Sequence, residues 1–129
     1  FQKELGEKIL SKYPSSNYGR LSILTNYRLN LIKDFQVSRN CFFPRPKVTS
    51  QVIHFQPKKN EMFKIKNLNN LEKVTNILFS NKRKMINKNL KKLLHIDEVN
   101  KIDHLNLNSR PSDLKPDYYY KITELYEKR

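Results

Sequence analysis

A chain of 129 residues with 26 Lys and Arg against 12 Asp and Glu carries a formal charge of +14, far more than solubility needs, and so points to a polyanionic partner, with nucleic acid ahead of an anionic membrane surface. No run of about 18 apolar residues exists to span a bilayer and no signal peptide opens the chain; the single cysteine, Cys41, excludes an internal disulfide framework or a Cys cluster for zinc and favours a reducing, cytoplasmic setting. Only Gly6 and Gly19 are glycines, which excludes a nucleotide loop of the GxGxxG type.

The length suits one domain or pieces of two, and a first residue of Phe rather than Met is compatible with a fragment of something longer. Residues 2–12 read as a short amphipathic helix with Leu5 and Ile9 one turn apart. Tyr13-Pro14-Ser15-Ser16-Asn17 ends it. A second helix is expected from about Gly19 to Arg28, where Leu24, Tyr27 and Leu31 follow the three-and-four spacing and Arg20 lies one turn ahead. The period then changes to two. Leu29, Leu31, Phe35 and Val37 alternate with Asn30, Ile32, Asp34 and Gln36, with Lys33 the one exception on the apolar side, and predict a strand.

The stretch Cys41-Phe42-Phe43-Pro44-Arg45-Pro46-Lys47-Val48-Thr49-Ser50 is constrained by more than folding. Each proline fixes its own φ and pushes the preceding residue out of the helical region, so Phe43 to Lys47 is expected to be a stiff, extended loop able to hold an aromatic ring in one place. On residue type alone Phe42 and Phe43 read as core rings at the mouth of a strand. Val48 to Phe55 is the second strand candidate, with apolar residues on both sides, a pattern that fits the interior of a sheet.

Residues 57–66 contain a proline and four lysines and no periodic pattern, and mark a boundary between an α/β part at 1–56 and a helical part at 67–129. Leu71, Val74, Ile77 and Leu78 predict one helix there. Ile86, Leu90, Leu93 and Leu94 predict another from Asn81 to Leu94. The last helix is expected to start at Pro116, a favoured first helical position, and to carry Tyr119, Ile122, Leu125 and Tyr126 on one face.

The chemistry is mostly electrostatic. Lys82, Arg83, Lys84, Lys88, Lys91 and Lys92 surround the apolar stripe of the 81–94 segment with no acidic residue among them. A solvated helix face usually mixes signs, and unpaired cations along one segment are what phosphate binding needs. A lysine- and asparagine-rich composition is the bland alternative. His54, His95 and His104 are scattered and form no metal or hydrolytic motif. Cys41 lies near Arg39 and Arg45 but has no assignable base and reads as inert. The run Tyr118-Tyr119-Tyr120 reads as helix packing rather than a base-stacking platform.

Four ordered landmarks carry a family resemblance: Gln2-Lys3-Glu4, Tyr18-Gly19-Arg20-Leu21-Ser22, Phe42-Phe43-Pro44-Arg45-Pro46-Lys47-Val48-Thr49-Ser50 and Lys82-Arg83-Lys84-Met85. The chain resembles the ribosomal RNA adenine dimethyltransferases of the kasugamycin-sensitivity type, which act on small-subunit rRNA. Their pattern is QKE, YGRLS, FxPxPKVxS and a basic RRK-type helix. The erythromycin-resistance methyltransferases share FxPxPKV and act on large-subunit rRNA, but YGRLS and the basic segment favour the small-subunit type.

The resemblance implies an α/β fold: the C-terminal part of a Rossmann-like S-adenosylmethionine (SAM) methyltransferase domain, supplying its two last strands plus helices, followed by a small all-helical domain that binds RNA. It implies SAM as cofactor, with its glycine-rich loop and the Asn-Leu-Pro-Tyr motif upstream of this chain. Phe42 would then stack on the target adenine, Pro44 and Pro46 would shape its loop, and Lys47, Lys82, Arg83, Lys84, Lys88 and Lys91 would meet RNA. The implied partner is small-subunit rRNA or a pre-ribosomal particle, engaged by a monomer without a membrane. Two residues depart from the family pattern: Ser112 stands where Glu usually follows Arg110-Pro111, and Lys115 where Ser commonly precedes Pro116. A non-catalytic basic RNA-binding module is the alternative reading.

Overall fold

The computed structural model describes residues 2–15, 17–41, 44, 49–58 and 62–128. Helix α1 (Lys3–Leu10) meets the sheet through its glycine, not through the expected Leu5 and Ile9 stripe. Leu5 stays 40% exposed while Gly6 is buried under Gln51, close enough that a Cβ on residue 6 would run into the Gln51 Oε1 atom and lie 3.1 Å from its Cβ. The narrow face of the helix permits this approach, and the apolar side chains are left at its edge.

Helix α2 (Arg20–Arg28) starts where the Ser22 hydroxyl accepts from the Gly19 N–H at 3.1 Å and donates to the Gly19 carbonyl at 2.9 Å. Ile23 and Tyr27 are its buried apolar residues, and Leu24 is half-buried. It runs directly into β1 (Leu29–Val37), so Leu31 belongs to the strand rather than to a helical stripe.

Strand β1 pairs antiparallel with β2 (Ser50–Pro57), with a bulge between Leu31 and Lys33. Beyond the bulge Phe35 faces Val52 across the ladder and Gln36 faces Gln51. The Gln51 face lies under α1, whereas Phe35 and Val52 point the other way and remain 49% and 43% exposed. Among the described residues the sheet has two strands, so the interior position expected for β2 is not realised: its far edge is touched by Gln2 through a bridge to Ser50.

The helical part comprises α3 (Leu68–Leu78), α4 (Asn87–Leu93), the single turn α5 (Ile96–Val99) and α6 (Pro116–Glu127). Asn67 caps α3 by accepting from the Asn69 N–H. Helix α6 starts at Pro116 as the sequence predicts and buries Tyr119, Ile122 and Leu125. The expected helix from Asn81 to Leu94 is shorter than its pattern. Phe79–Asn81 is a 3-10 turn, 82–84 is a turn, and α4 begins only at Asn87. The cause is a long-range bond: a continuous helix would direct the Ile86 N–H to the carbonyl four residues back, but it donates to the Ser109 carbonyl at 2.9 Å.

One core joins the two parts. Tyr18, Ile23 and Tyr27 share a buried cluster with Leu71, Val74, Leu78, Leu90, Tyr119 and Ile122. Tyrosine hydroxyls stitch it: Tyr18 donates to the Leu114 carbonyl at 2.6 Å, and Tyr120 to the Ile23 carbonyl at 2.8 Å. Tyr27 donates to the Phe63 carbonyl at 3.2 Å and accepts from the Ile65 N–H at 2.8 Å. Burial, the largest cause, pushes the Tyr18, Tyr119 and Tyr120 phenols well above their ordinary range, so they stay protonated donors. Tyr118-Tyr119-Tyr120 is therefore packing, with the Tyr119 ring stacked on Phe79 at 5.5 Å.

Candidate nucleic-acid interface

Lys82, Arg83 and Lys84 occupy the turn that links the end of α3 to α4, and all three are exposed. Their helical placement is thus corrected, and their exposure is explained by the same geometry. The turn is closed by the Lys84 N–H donating to the Asn81 carbonyl at 3.2 Å, and the chain is pinned again at Ile86, so the intervening side chains project outward. Leu90 and Leu93 turn α4 toward the core and leave Lys88, Lys91 and Lys92 on its solvent side. Lys88 and Lys92 are four residues apart, hence on one face. None of these six cations forms an ion pair among the described residues. Such a surface can neutralise successive phosphates of a polyanion, each contact releasing counterions.

The proline loop is placed by its ends. Phe42, Arg45, Pro46 and Lys47 lie outside the described residues, whereas Pro44 is an exposed bend. Upstream, the 3-10 turn Arg39–Cys41 follows β1, with the Cys41 N–H donating to the Ser38 carbonyl at 3.0 Å. Downstream, the Thr49 carbonyl accepts from the Lys3 N–H at 2.9 Å, beside the Gln2–Ser50 bridge. The Gln2-Lys3-Glu4 landmark therefore anchors the far end of the proline-loop landmark. Periodicity within either segment could not show this.

The other two landmarks also converge. Arg20 of the Tyr18–Ser22 segment reaches α3, its Nε donating to the Thr75 hydroxyl and its Nη2 to the Glu72 carbonyl, both at 3.2 Å. Arg20 and Lys82 line one cleft between the two parts. Ser112 and Lys115, which depart from the expected pattern, flank Asp113 and Leu114, which offer their carbonyls to the Tyr13 and Tyr18 hydroxyls; Lys115 precedes α6 without a side-chain cap.

Three comparisons place this geometry among known proteins. Residues 1–128 match the family model described as Ribosomal RNA adenine dimethylase. Ribosomal RNA small subunit methyltransferase A of Pelagibacter ubique (strain HTCC1062) is 44% identical over 128 residues, 98% of this chain and 48% of that protein. The protein of the same name from Zymomonas mobilis is 35% identical, over 99% of this chain and 45% of its own length. The crystal structure of a dimethyladenosine transferase from Plasmodium falciparum superimposes with a TM-score of 0.75 at 27% identity, covering 99% of this chain and 55% of that one. The 23S rRNA methyltransferase ErmE shares the fold, with a TM-score of 0.61 at 19% identity, over 98% of this chain and 52% of its own. The chain spans about half the length of the relatives it matches.

Proposed function

Because the chain belongs to the ribosomal RNA adenine dimethylase family, we propose that it is the substrate-engaging portion of an enzyme that dimethylates the N6 amine of adenines in small-subunit rRNA. The observation that carries the reading is the exposed strip of Lys82, Arg83, Lys84, Lys88, Lys91 and Lys92, free of ion pairs among the described residues. It suits a phosphate backbone. In this reading residues 1–56 complete a methyltransferase domain, 57–66 link, and 67–129 bind RNA, with α2 packing against both. The setting is cytoplasmic and the working unit a monomer on small-subunit rRNA or a pre-ribosomal particle.

Phe42 is assigned to stacking on the target adenine. An adenine must leave its helix before its exocyclic amine can be reached, and an aromatic ring returns about 1–3 kcal/mol of stacking per base. Pro44 and Pro46 are assigned to shaping that loop, and Lys47 to contact with RNA phosphate.

S-adenosylmethionine is the methyl donor that the family membership brings, and the described residues do not fit it. Gly6 is closed by Gln51, and Gly19 lies in a cleft lined by three cations and no carboxylate, which repels a sulfonium and offers no acid to ribose hydroxyls. We therefore assign SAM to no residue here.

The chain alone is expected to bind RNA and to bind no SAM. Anisotropy with a labelled rRNA hairpin and calorimetry with SAM check both. Reversing charge at Arg83, Lys84 and Lys88 should weaken RNA binding at least ten-fold, about 1.4 kcal/mol. Unchanged RNA affinity in that variant, or measurable SAM binding by the chain, overturns the reading.

A further inference from the structure

We propose that the cleft between α1, the start of α2 and the 3-10 turn after α3 is a second phosphodiester site, which shares Lys82 with the Lys82–Lys92 strip and extends the hold on the RNA backbone beyond it. The inference rests on the RNA-binding reading above and extends it to Lys8, Asn17, Gly19 and Arg20, residues otherwise outside that strip. The cleft has a volume of about 380 Å³, and its lining includes Lys8, Asn17, Gly19, Arg20, Phe79 and Lys82. Its three cations come from separate segments: Lys8 from the last turn of α1, Arg20 from the first turn of α2, and Lys82 from the turn beyond α3. No carboxylate lines it among the described residues. Three like charges gathered around one hollow repel each other, and an anion entering the hollow relieves that repulsion.

The guanidinium is held for the task. Two of its five N–H groups are spent on the Thr75 hydroxyl and the Glu72 carbonyl, which fix its plane and leave three N–H donors. A preset, planar cation binds phosphate with less ordering cost than a free lysine. The apolar part of the lining comes from Tyr18, Leu21 and Phe79, the last stacked on Tyr119. Gly19 keeps the mouth open: a Cβ there would meet no atom within 4 Å, so any side chain would enter empty space. The N-terminal end of α2 adds partial positive charge at the same place.

The test measures the affinity of the chain for a short labelled RNA hairpin across about 50 to 200 mM salt, in wild type, Lys8→Gln, Gly19→Leu and, as a control outside both the cleft and the strip, Lys64→Gln. Lys8 is an exposed helix residue, so its replacement leaves the fold intact, which circular dichroism verifies. Loss of one phosphate contact should flatten the plot of log affinity against log salt by about 0.7–0.9. Over that range Lys8→Gln then loses about three-fold less affinity than wild type, and Gly19→Leu, with its charge unchanged, binds more weakly at every salt concentration. If Lys8→Gln behaves as Lys64→Gln does and Gly19→Leu binds as wild type, the cleft holds no phosphate, while the broader reading stands on the Arg83, Lys84 and Lys88 variant. Absence of RNA binding by the wild type overturns both.

Discussion

Helices α3, α4 and α6 bury Leu71, Val74, Leu78, Leu90 and Ile122 almost completely, whereas β1 and β2 leave Ile32, Phe35 and Val52 52%, 49% and 43% exposed. The helical part closes its core on itself and on α2. Among the described residues the hairpin is covered on one face, where Gly6 of α1 sits on Gln51. A two-stranded sheet is marginal in water, so the hairpin depends on α1 and α2 for its place, and equal substitutions should have unequal costs in the two regions.

The largest effect is expected in the helical core. Ile122→Ala should cost about 2–5 kcal/mol through lost burial and an unfilled cavity, while Val52→Ala, on the open face, should change stability by less than about 1 kcal/mol. Chemical denaturation of both variants checks the contrast. Equal costs would mean that the hairpin face is covered in solution.

Gly6→Ala sharpens the comparison from the other side. Alanine is the better helix former by about 1 kcal/mol, yet its Cβ meets the Gln51 side chain, whose Nε2 is itself held by the Asp34 carboxylate at 3.1 Å. Overpacking costs typically about 1–3 kcal/mol, so the substitution should destabilise by about 1 kcal/mol net. Gly6→Ala with Gln51→Ala should restore the helical gain.

The smallest effect is electrostatic and belongs to the helical part. Glu127 at the end of α6 accepts from Asn70 Nδ2 at 2.7 Å and from the backbone N–H groups of Lys66 and Asn67 at 2.8 and 3.0 Å. Burial works to raise its pKa, but these bonds, together with the Lys66 charge, hold the carboxyl below its ordinary value. A carboxyl depressed in the folded state stabilises above its unfolded pKa of about 4.3 and loses that contribution as pH falls through the folded value. Melting temperatures from about pH 6 to 3 should therefore fall less steeply in Glu127→Gln than in wild type.

Local signals carried well where local physics decided the outcome. The proline at 116 marks the start of α6, and the alternation from Leu29 to Val37 gives β1 its bounds. They failed where a distant partner intervened. Ser109 takes the amide of Ile86 and breaks the expected 81–94 helix, and Gln51 makes Gly6 rather than Leu5 the buried position of α1. The one-turn helix α5 is too short for a period, and its cap, the Glu98 carboxylate accepting from the His95 N–H, starts from a residue type that does not signal a helix start. The candidate interface divides the same way. The exposed cations from Lys82 to Lys92 were legible as an unmixed run of charge, but the meeting of Lys8, Arg20 and Lys82 depends on contacts across some 70 residues of chain.

Tyr27 gives the junction a built-in reporter. Its hydroxyl is the acceptor for the buried Ile65 amide and donates to the Phe63 carbonyl, so a single oxygen on α2 closes the backbone of the segment entering the helical part. That amide can trade its proton for deuterium only when the oxygen withdraws. The exchange rate at Ile65 thus counts how often the two parts come unlatched, a clock for their separation that needs no mutation.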